Sequence, residues 1–165
     1  MIAVKSGKCI RFEENKTRPM GRNASGVRGV RLKDQKDEVV GMISVNDMDS
    51  DILVVSENGY GKRSKLEDYR ITNRGGKGVK TISITEKTGN LVSLKNVSDG
   101  DDLMIINKSG IAIRMEVNTL RVMGRATQGV RLINIKDNDS IAAVAKVVLD
   151  DQEVTDIEEI DVVED

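Results

Sequence analysis

The sequence predicts an all-β protein built as a radial array of four-stranded sheets, which we call blades. The first observation behind this prediction is an internal repeat: "RPMGRNASGVRGVRL", "RITNRGGKGVKTISI" and "RVMGRATQGVRLINI" align without a gap, with starts 52 and 51 residues apart. The second is alternation of apolar and polar residues within each copy, and the third is a core composition rich in Val, Ile, Leu and Met. A period near 50 residues is typical of arrays of small packed units.

Each repeat predicts a hairpin, a basic glycine loop and two further strands. The apolar runs "ILVV" and "LMII" lead into Asn-Gly or Ser-Gly, which favours a tight turn, and then into a second strand that ends in Arg. After the loop, Val79, Ile82 and Ile84 alternate with polar residues as in a half-buried strand. A polar turn such as "TEKTGN" precedes the last strand. The chain has one proline and few apolar residues at helical spacing, which disfavours a helical solenoid.

The repeats divide the chain into two regions. Residues 1–149 hold three repeats, at about 1–48, 49–100 and 101–149, and residues 150–165 form an acidic tail that we expect to be disordered. Met1 aligns with the interior of the first strand of the other two repeats. We therefore expect the chain to be a fragment of a longer repeat protein.

The formal net charge of -1 conceals a strong asymmetry. The tail carries nine acids and no base, so residues 1–149 hold 26 bases and 18 acids, a formal charge of +8. A basic body is typical of proteins that bind polyanions. The tail is interpreted either as a solubilising end or as a DNA mimic that competes for the basic surface.

Catalytic and metal-binding interpretations have little support. The chain has no His, and its one cysteine, Cys9, can form no internal disulfide and has no evident base partner. Tyr60, beside a hairpin turn, is interpreted as structural. The acidic run at 47–51 imitates a calcium loop but lacks the Gly and Glu required at the sixth and twelfth positions. We predict no catalytic residue, no metal site and no cofactor here, and a soluble cytoplasmic protein without a membrane segment.

Four basic positions recur in every repeat and form the predicted binding surface. They are Arg11, Arg63 and Arg114; Arg18, Arg70 and Arg121; Arg22, Arg74 and Arg125; and Arg28, Lys80 and Arg131. Eleven of the twelve are arginine, whose planar guanidinium makes paired hydrogen bonds to phosphate. No aromatic residue lies in the basic loops, which favours contacts to duplex phosphates over stacking on unpaired bases. The alternative is that these arginines bridge neighbouring blades or cap carbonyl groups.

The loops that carry these bases are rich in glycine. Lys77 and the loop glycines Gly26, Gly75, Gly76, Gly78 and Gly129 complete the predicted DNA-binding set. Glycine lets backbone N–H groups approach an anion closely, and it also tolerates a positive φ. A purely geometric role for these glycines therefore remains the alternative.

The three repeats closely resemble successive blades of the C-terminal domain of bacterial DNA gyrase A, as in "NGYGKRSKLEDYRITNRGGKGVKTI". The resemblance implies a β-pinwheel, a six-bladed propeller-like disc whose blades exchange strands, with this chain supplying about three blades and the acidic tail. It also implies that duplex DNA wraps around a basic rim and so supports ATP-dependent negative supercoiling. The catalytic tyrosine and the ATPase site would then lie elsewhere.

The resemblance further implies partners and a location. The parent would be a type IIA topoisomerase, an assembly of two A and two B subunits that uses ATP and Mg in the bacterial cytoplasm near the nucleoid. Arg74 to Gly78 match the last five residues of the family's QRRGGKG box, whereas Thr72 and Asn73 depart from its first two. DNA contact therefore carries over to Arg74 and Lys77, and the special closing role of the full box does not.

Three other functions stay open at this point. One is that of the related domain in the A subunit of topoisomerase IV. Another is a protein-binding propeller of kelch or chromatin-condensation type, disfavoured by the scarcity of aromatic residues and the absence of His. The third is a structural scaffold with no affinity for nucleic acid.

Overall fold

The computed structural model describes residues 1–136 and 138–147, and the predicted acidic tail lies outside these residues. The described part is all-β, as predicted, with eleven strands in three antiparallel sheets. One 3₁₀ turn follows the second strand of each sheet, at Glu14–Lys16, Leu66–Asp68 and Val117–Thr119. Within these residues there is no helix with the length and apolarity needed to cross a bilayer.

The first two sheets each have four strands. The first sheet, in spatial order, contains β3 (Val39–Met42), β1 (Ile2–Val4), β2 (Lys8–Ile10) and β6 (Val79–Lys80). The second contains β10 (Val130–Arg131), β5 (Tyr60–Lys65), β4 (Asp51–Ser56) and β7 (Leu91–Val97). β4 and β5 form the predicted hairpin around Asn58-Gly59, with Asp51 opposite Lys65 and Val55 opposite Gly61.

The third sheet has three strands among the described residues. They are β11 (Ile141–Val147), β8 (Asp102–Asn107) and β9 (Ala112–Glu116). The second and third repeats each have the predicted four strands, and one strand of each pairs outside its own repeat, as the strand exchange implied by the family resemblance requires. β6 belongs to the second repeat but pairs with β2 of the first, and β10 of the third repeat pairs with β5 of the second. The second and third repeats thus each lend one strand to the preceding blade.

This exchange explains a difference from the sequence prediction. In the first repeat, the segment around Val27, Val30 and Leu32 forms no strand, and Leu32 is 42% exposed. Ile82 and Ile133, which align with Val30, are buried against the preceding blade. Apolar alternation is present in all three copies, but a strand of two residues forms only where a neighbouring blade offers a partner.

The core consists of two layers between blades. One contains Ile52 and Val54 of β4 together with Met1, Cys9, Tyr69 and Ile82, and the other contains Leu53 and Val55 with Leu103, Leu120 and Ile133. Successive residues of a strand point to opposite faces of the sheet. The uninterrupted apolar run "ILVV" is therefore explained by a middle blade that is covered on both faces.

The edges of the sheets define the inside and outside of the array. β3, β7 and β11 contact one another from blade to blade, so they form the inner edge. The exchanged strands β6 and β10 lie at the opposite edge. We use the term rim for these two strands together with the three basic turns at residues 22–26, 74–78 and 125–129.

Candidate nucleic-acid interface

The second and third basic turns dock on the blade that precedes them. Gly75 N donates to the carbonyl of Gly29 over 2.6 Å, and Arg31 N donates to the carbonyl of Gly76 over 2.8 Å. The third turn repeats part of this arrangement, since Ser83 N donates to the carbonyl of Thr127 over 3.0 Å. The repeat period of the sequence therefore becomes a regular spacing of cationic turns along the rim.

One arginine in each docked turn donates a hydrogen bond to the backbone carbonyl of a basic residue in the preceding repeat. Arg74 Nη1 donates to the carbonyl of Arg28 (3.1 Å) and its Nε to the carbonyl of Lys16 (2.9 Å). Arg125 Nη1 donates to the carbonyl of Lys80 over 2.7 Å. Bonds to neutral carbonyls leave the guanidinium charge in place, so each junction brings a positive side chain to the backbone of a second basic residue.

Two glycines make the docking possible. A Cβ at Gly78 would lie 2.5 Å from the carbonyl oxygen of Cys9, and a Cβ at Gly129 would lie 2.6 Å from that of Gly61. Both residues also have a positive φ, at +70° and +83°. Only glycine satisfies both conditions without strain. The matching Gly26 has φ +77° but meets nothing within 4 Å.

The segment Gly75–Lys77 differs from its counterparts in backbone conformation. Gly75 has φ +77°, whereas Asn23 and Ala126, at the same position in the other repeats, are not among the described residues with positive φ. A Cβ at Gly75 would come within 3.4 Å of the carbonyl oxygen of Arg28. Lys77 is exposed beside this turn. The gyrase-box residues therefore shape the docked turn as well as adding charge.

The other members of the Arg22 and Arg28 columns are accessible to solvent. Arg22, Lys80 and Arg28 are exposed, the last beside the hydrogen bond from Arg74 to its carbonyl, and Arg131 is exposed at the end of β10. Lys80 and Arg131 lie on the outermost strands, where they face Lys8 and Tyr60 across the strand pair. This accessibility leaves the side chains available to an extended anion.

The column of Arg18, Arg70 and Arg121 is also exposed, at the end of the 3₁₀ turns. In the second repeat, Glu67 and Asp68 are exposed shortly before Arg70. Opposite charges so close together weaken the local positive potential. We therefore rank this column below the columns of Arg22 and Arg28 as a source of anion contacts.

The column of Arg11, Arg63 and Arg114 makes contacts within the protein. Arg11 Nη1 donates to the carbonyls of Leu66 (3.0 Å) and Tyr69 (3.2 Å), which links the first blade to the second. Arg63 is 8% exposed and pairs with Asp99 and with Asp51, the latter at 3.7 Å. These contacts support the bridging alternative for Arg11 and Arg63.

Arg114, in the third blade, keeps more freedom than the other two. Its Nε pairs with Asp102 Oδ2 at 2.5 Å, while 51% of its side chain stays exposed. Two arginines of the same column therefore differ: Arg63 forms a buried ion pair in the second blade, and Arg114 forms a surface ion pair in the third. Its availability to an external anion changes accordingly.

Lys62 supports the rim, although its position does not belong to any of the shared basic columns. It is 0% exposed, and its Nζ donates to the carbonyl of Gly124 (2.6 Å) and to Ser64 Oγ (3.1 Å). Burial lowers the pKa of Lys62 to about 7, with Asp68 acting to raise it and Arg125 to lower it. The signal was present in the sequence, since Lys62 occupies a column that is Ile10 and Ile113 in the other repeats.

Tyr60 also has a larger role than its hairpin position indicated. Its hydroxyl oxygen accepts hydrogen bonds from Arg131 Nη2 (2.9 Å) and Nε (3.3 Å). The hydrogen bond from Arg131 lowers the pKa of Tyr60, and the nearby charges of Arg131 and Lys87 act in the same direction. The tyrosine thereby links the hairpin turn to the cationic outer strand.

The family model of the DNA gyrase C-terminal domain, a β-propeller, matches residues 5–46, 50–98 and 101–147. The chain belongs to this family. The DNA gyrase A protein of Staphylococcus aureus strain MRSA252 is 46% identical over 167 aligned residues, which cover 100% of this chain and 19% of that protein. The chain thus spans about a fifth of the length of the curated relatives it matches.

Solved structures support the same assignment. A DNA gyrase A C-terminal domain superposes with a TM-score of 0.80 at 30% identity, over 89% of this chain and 50% of that one. The C-terminal domain of a DNA topoisomerase IV superposes with a TM-score of 0.83 at 22% identity, over 89% of this chain and 46% of that one. The second likeness shows a shared fold alone. The β-pinwheel fold implied by the sequence resemblance is confirmed.

Proposed function

We propose that the domain binds duplex DNA along its rim, without sequence preference, and contributes to DNA wrapping in a gyrase-type topoisomerase. The observation that carries this proposal is the repeated junction of a docked basic turn and a solvent-accessible basic position. Hydrogen bonds from Arg74 to the Arg28 carbonyl and from Arg125 to the Lys80 carbonyl bring two basic residues together at successive junctions. A duplex presents phosphates at regular intervals, so a regular series of cations can follow it.

The chemistry of the rim favours contacts to the backbone of DNA. Arginine and lysine neutralise phosphates, and contacts to phosphates position a protein on DNA without reading the base sequence. The energy needed to bend the duplex around the rim would supply the modest selectivity that we expect. We propose the columns of Arg22 and Arg28, together with Lys77, as the principal contacts.

The parent protein is proposed from the family rather than from this chain's own residues. We propose that residues 1–149 form the DNA-binding body of a protein that works with the rest of gyrase A and with gyrase B. In such an enzyme the wrapped segment would be led to the cleavage gate for ATP- and Mg-dependent negative supercoiling. The identity of 46% to gyrase A proteins favours this enzyme over topoisomerase IV.

A salt series tests the binding proposal directly. The affinity of the 165-residue chain for a duplex of about 30 base pairs is measured by fluorescence anisotropy at several salt concentrations. Each neutralised phosphate steepens the slope of log K against log salt by roughly 0.9, so several contacts predict a steep negative slope. A flat response would refute the proposal. Equal affinity for duplexes of unrelated sequence is the second expectation.

A topology assay tests the finer proposal of wrapping. Relaxed circular DNA is incubated with the chain and a type I topoisomerase, and the linking number is read on a gel after the protein is removed. Wrapping of positive hand predicts a shift that grows with protein concentration. Three blades are expected to bind DNA without a complete wrap, so the shift per protein should be smaller than for a full-length gyrase A. Tight binding with no shift would separate binding from wrapping.

A further inference from the structure

A polar cavity of about 250 Å³ lies at the outer edge of the second blade. Tyr60, at the start of β5, and Arg131, on β10, face each other at this edge and line the cavity. Lys87, in the turn before β7, and Lys136, after β10, complete its cationic lining. Three positive side chains therefore surround one small cavity beside the rim.

Tyr60 holds two of these cations at a fixed distance. Lys87 Nζ and Arg131 Cζ each lie 5.4 Å from the centroid of its ring. Asn58 Nδ2 donates to the carbonyls of Glu86 (3.1 Å) and Lys87 (3.2 Å), which holds the turn that carries Lys87. Two cations on one ring repel each other, and an anion bound between them would offset that repulsion.

The tyrosine hydroxyl offers a hydrogen-bond donor to such an anion. Its oxygen accepts two N–H groups from Arg131, and it donates to no acceptor among residues 1–136 and 138–147. The ring is almost fully buried, at 6% exposure, whereas Lys87 and Arg131 keep access to solvent. A buried ring with its hydroxyl between accessible cations is suited to an oxygen ligand that accepts several hydrogen bonds.

The acidic residue in the cavity wall is already engaged. Asp139 accepts hydrogen bonds from Asn107 Nδ2 (2.6 Å), from Ser109 Oγ (2.8 Å) and N (3.3 Å), and from Ser140 N (2.8 Å). Its carboxylate therefore holds the turn rather than neutralising Lys87 and Arg131. In sequence the turn also contains Asp137, which lies outside the described residues.

The outer strand pair of the first blade is also rich in positive charge, although its residues differ. There Lys8 lies directly opposite Lys80, at the positions that Tyr60 and Arg131 occupy in the second blade. Like charges directly opposite on a strand pair are destabilising unless an anion offsets them. Both described outer strand pairs thus favour a bound anion at the same place.

We propose that this cavity binds one phosphate group, with Arg131 and Lys87 supplying positive charge and the Tyr60 hydroxyl donating a hydrogen bond. Inorganic phosphate and a DNA phosphodiester share the chemistry that would be recognised. The expected natural occupant is a backbone phosphate of the duplex, and to that extent the inference rests on the proposed DNA binding. It adds Tyr60 and Lys87 to the contacts predicted from the repeats.

The two tyrosines of the chain provide the test and its internal control. The full chain is labelled with ¹³C in the tyrosine rings, and the ring signals are followed by NMR during separate titrations with inorganic phosphate and duplex DNA at constant ionic strength. Chloride serves as the control anion. Tyr60 is expected to shift to saturation with both ligands, whereas Tyr69, which is 0% exposed and bonded to Thr81, should stay unmoved.

Variants then identify the groups that bind. Lys87→Gln and Arg131→Gln should each weaken inorganic phosphate binding at least about ten-fold, since a hydrogen bond to a charged group is removed. Tyr60→Phe keeps the ring, so it should weaken binding roughly five-fold, as the loss of one hydrogen bond does. Lys95→Gln, which removes a charge from the inner strand β7, is the matched control and should have no effect.

The outcomes separate this inference from the proposed function. If duplex DNA binds and neither ligand moves Tyr60, the phosphate cavity is refuted and DNA binding stands. If the NMR signals of Tyr60 shift with DNA and not with inorganic phosphate, the result supports a binding site specific for the phosphodiester. If DNA fails to bind, saturation by inorganic phosphate still supports the cavity, and its absence overturns it. Equal effects of Lys95→Gln and Lys87→Gln would also overturn it.

Discussion

The middle repeat and the end repeats have the same sequence pattern in different surroundings. β5 of the middle blade is buried over all but its last residue, whereas four of the five residues of β9 in the third blade are exposed. The second basic turn is docked on the first blade, whereas the first basic turn, at residues 22–26, is exposed throughout. The comparison shows that a repeated residue takes its role from the blade beside it.

The largest expected effect comes from a substitution that disrupts the docking of the second basic turn on the first blade. Gly78→Ala places a Cβ 2.5 Å from the carbonyl of Cys9 at a positive φ, and Gly26→Ala meets only the unfavourable φ. We expect Gly78→Ala to lower the free energy of unfolding by about 3 kcal/mol, the sum of overpacking and left-handed strain, and Gly26→Ala by about 1 kcal/mol. Urea unfolding measures both. Equal losses in the two variants would contradict the role assigned to docking.

The second prediction compares one arginine column in two blades. Arg63→Gln removes the buried partner of Asp51, which keeps Lys65 at 3.0 Å, so we expect a loss of about 2 kcal/mol. Arg114→Gln breaks a half-exposed pair with Asp102, for which about 0.5 kcal/mol is typical. The free energies of unfolding of the two variants are measured side by side. A larger loss for Arg114→Gln would reverse our interpretation of this column.

The third prediction concerns the hydrogen bonds that Arg74 donates to the preceding repeat. Arg74→Ala loses its hydrogen bonds to the carbonyls of Lys16 and Arg28, so its free energy of unfolding should fall by about 1 kcal/mol. Arg22→Ala, in the same column, is exposed and should change stability by less than about 0.5 kcal/mol. Both variants should lose DNA affinity. Should only Arg74→Ala lose affinity, the contribution of Arg22 to binding would be refuted.

The fourth prediction concerns the dependence of stability on pH. The pKa of Lys62 is about 7 in the folded protein because the side chain is buried, whereas the unfolded chain keeps the ordinary value of 10.5. Between about pH 7 and 9 the unfolded state therefore binds more protons at this residue, and stability rises with pH. Lys62→Met should remove that rise. Chemical unfolding of both proteins across this range measures the difference, and parallel curves would contradict a buried, largely neutral Lys62.

Much of the fold could be predicted because residues that recur in every repeat indicate the same local structure in each. The hairpins followed from Asn58-Gly59 and Ser109-Gly110, and the burial of β4 on both faces agrees with its apolar run. The pairing of β6 and β10 with the preceding blades was implied only by the family resemblance. The local sequence of a two-residue strand does not indicate which strand it pairs with, because its hydrogen bonds are made to residues about 70 positions away.

The candidate site was predicted less completely. The basic columns marked the rim, but their pattern could not separate Arg63, which is buried in ion pairs, from Lys80, which is exposed. Both belong to columns with the same sequence signature, and the difference arises from the packing of neighbouring blades. Lys62, which contacts Gly124 beside the third basic turn, and Tyr60, which contacts Arg131 of the rim, were missed because each occurs in one repeat alone, so a search for shared positions passes over them.

The central claim is that the column of Arg22, Arg74 and Arg125 presents positive charge to the phosphates of a duplex. It is tested most directly by the salt dependence of duplex binding in the triple Arg→Gln variant, compared with wild type and with Lys95→Gln. The slope of log K against log salt should become shallower by about 2.7 if each arginine neutralises one phosphate, and Lys95→Gln should leave it unchanged. Loss of stability with an unchanged slope would contradict the claim and assign these arginines to the bridging of blades.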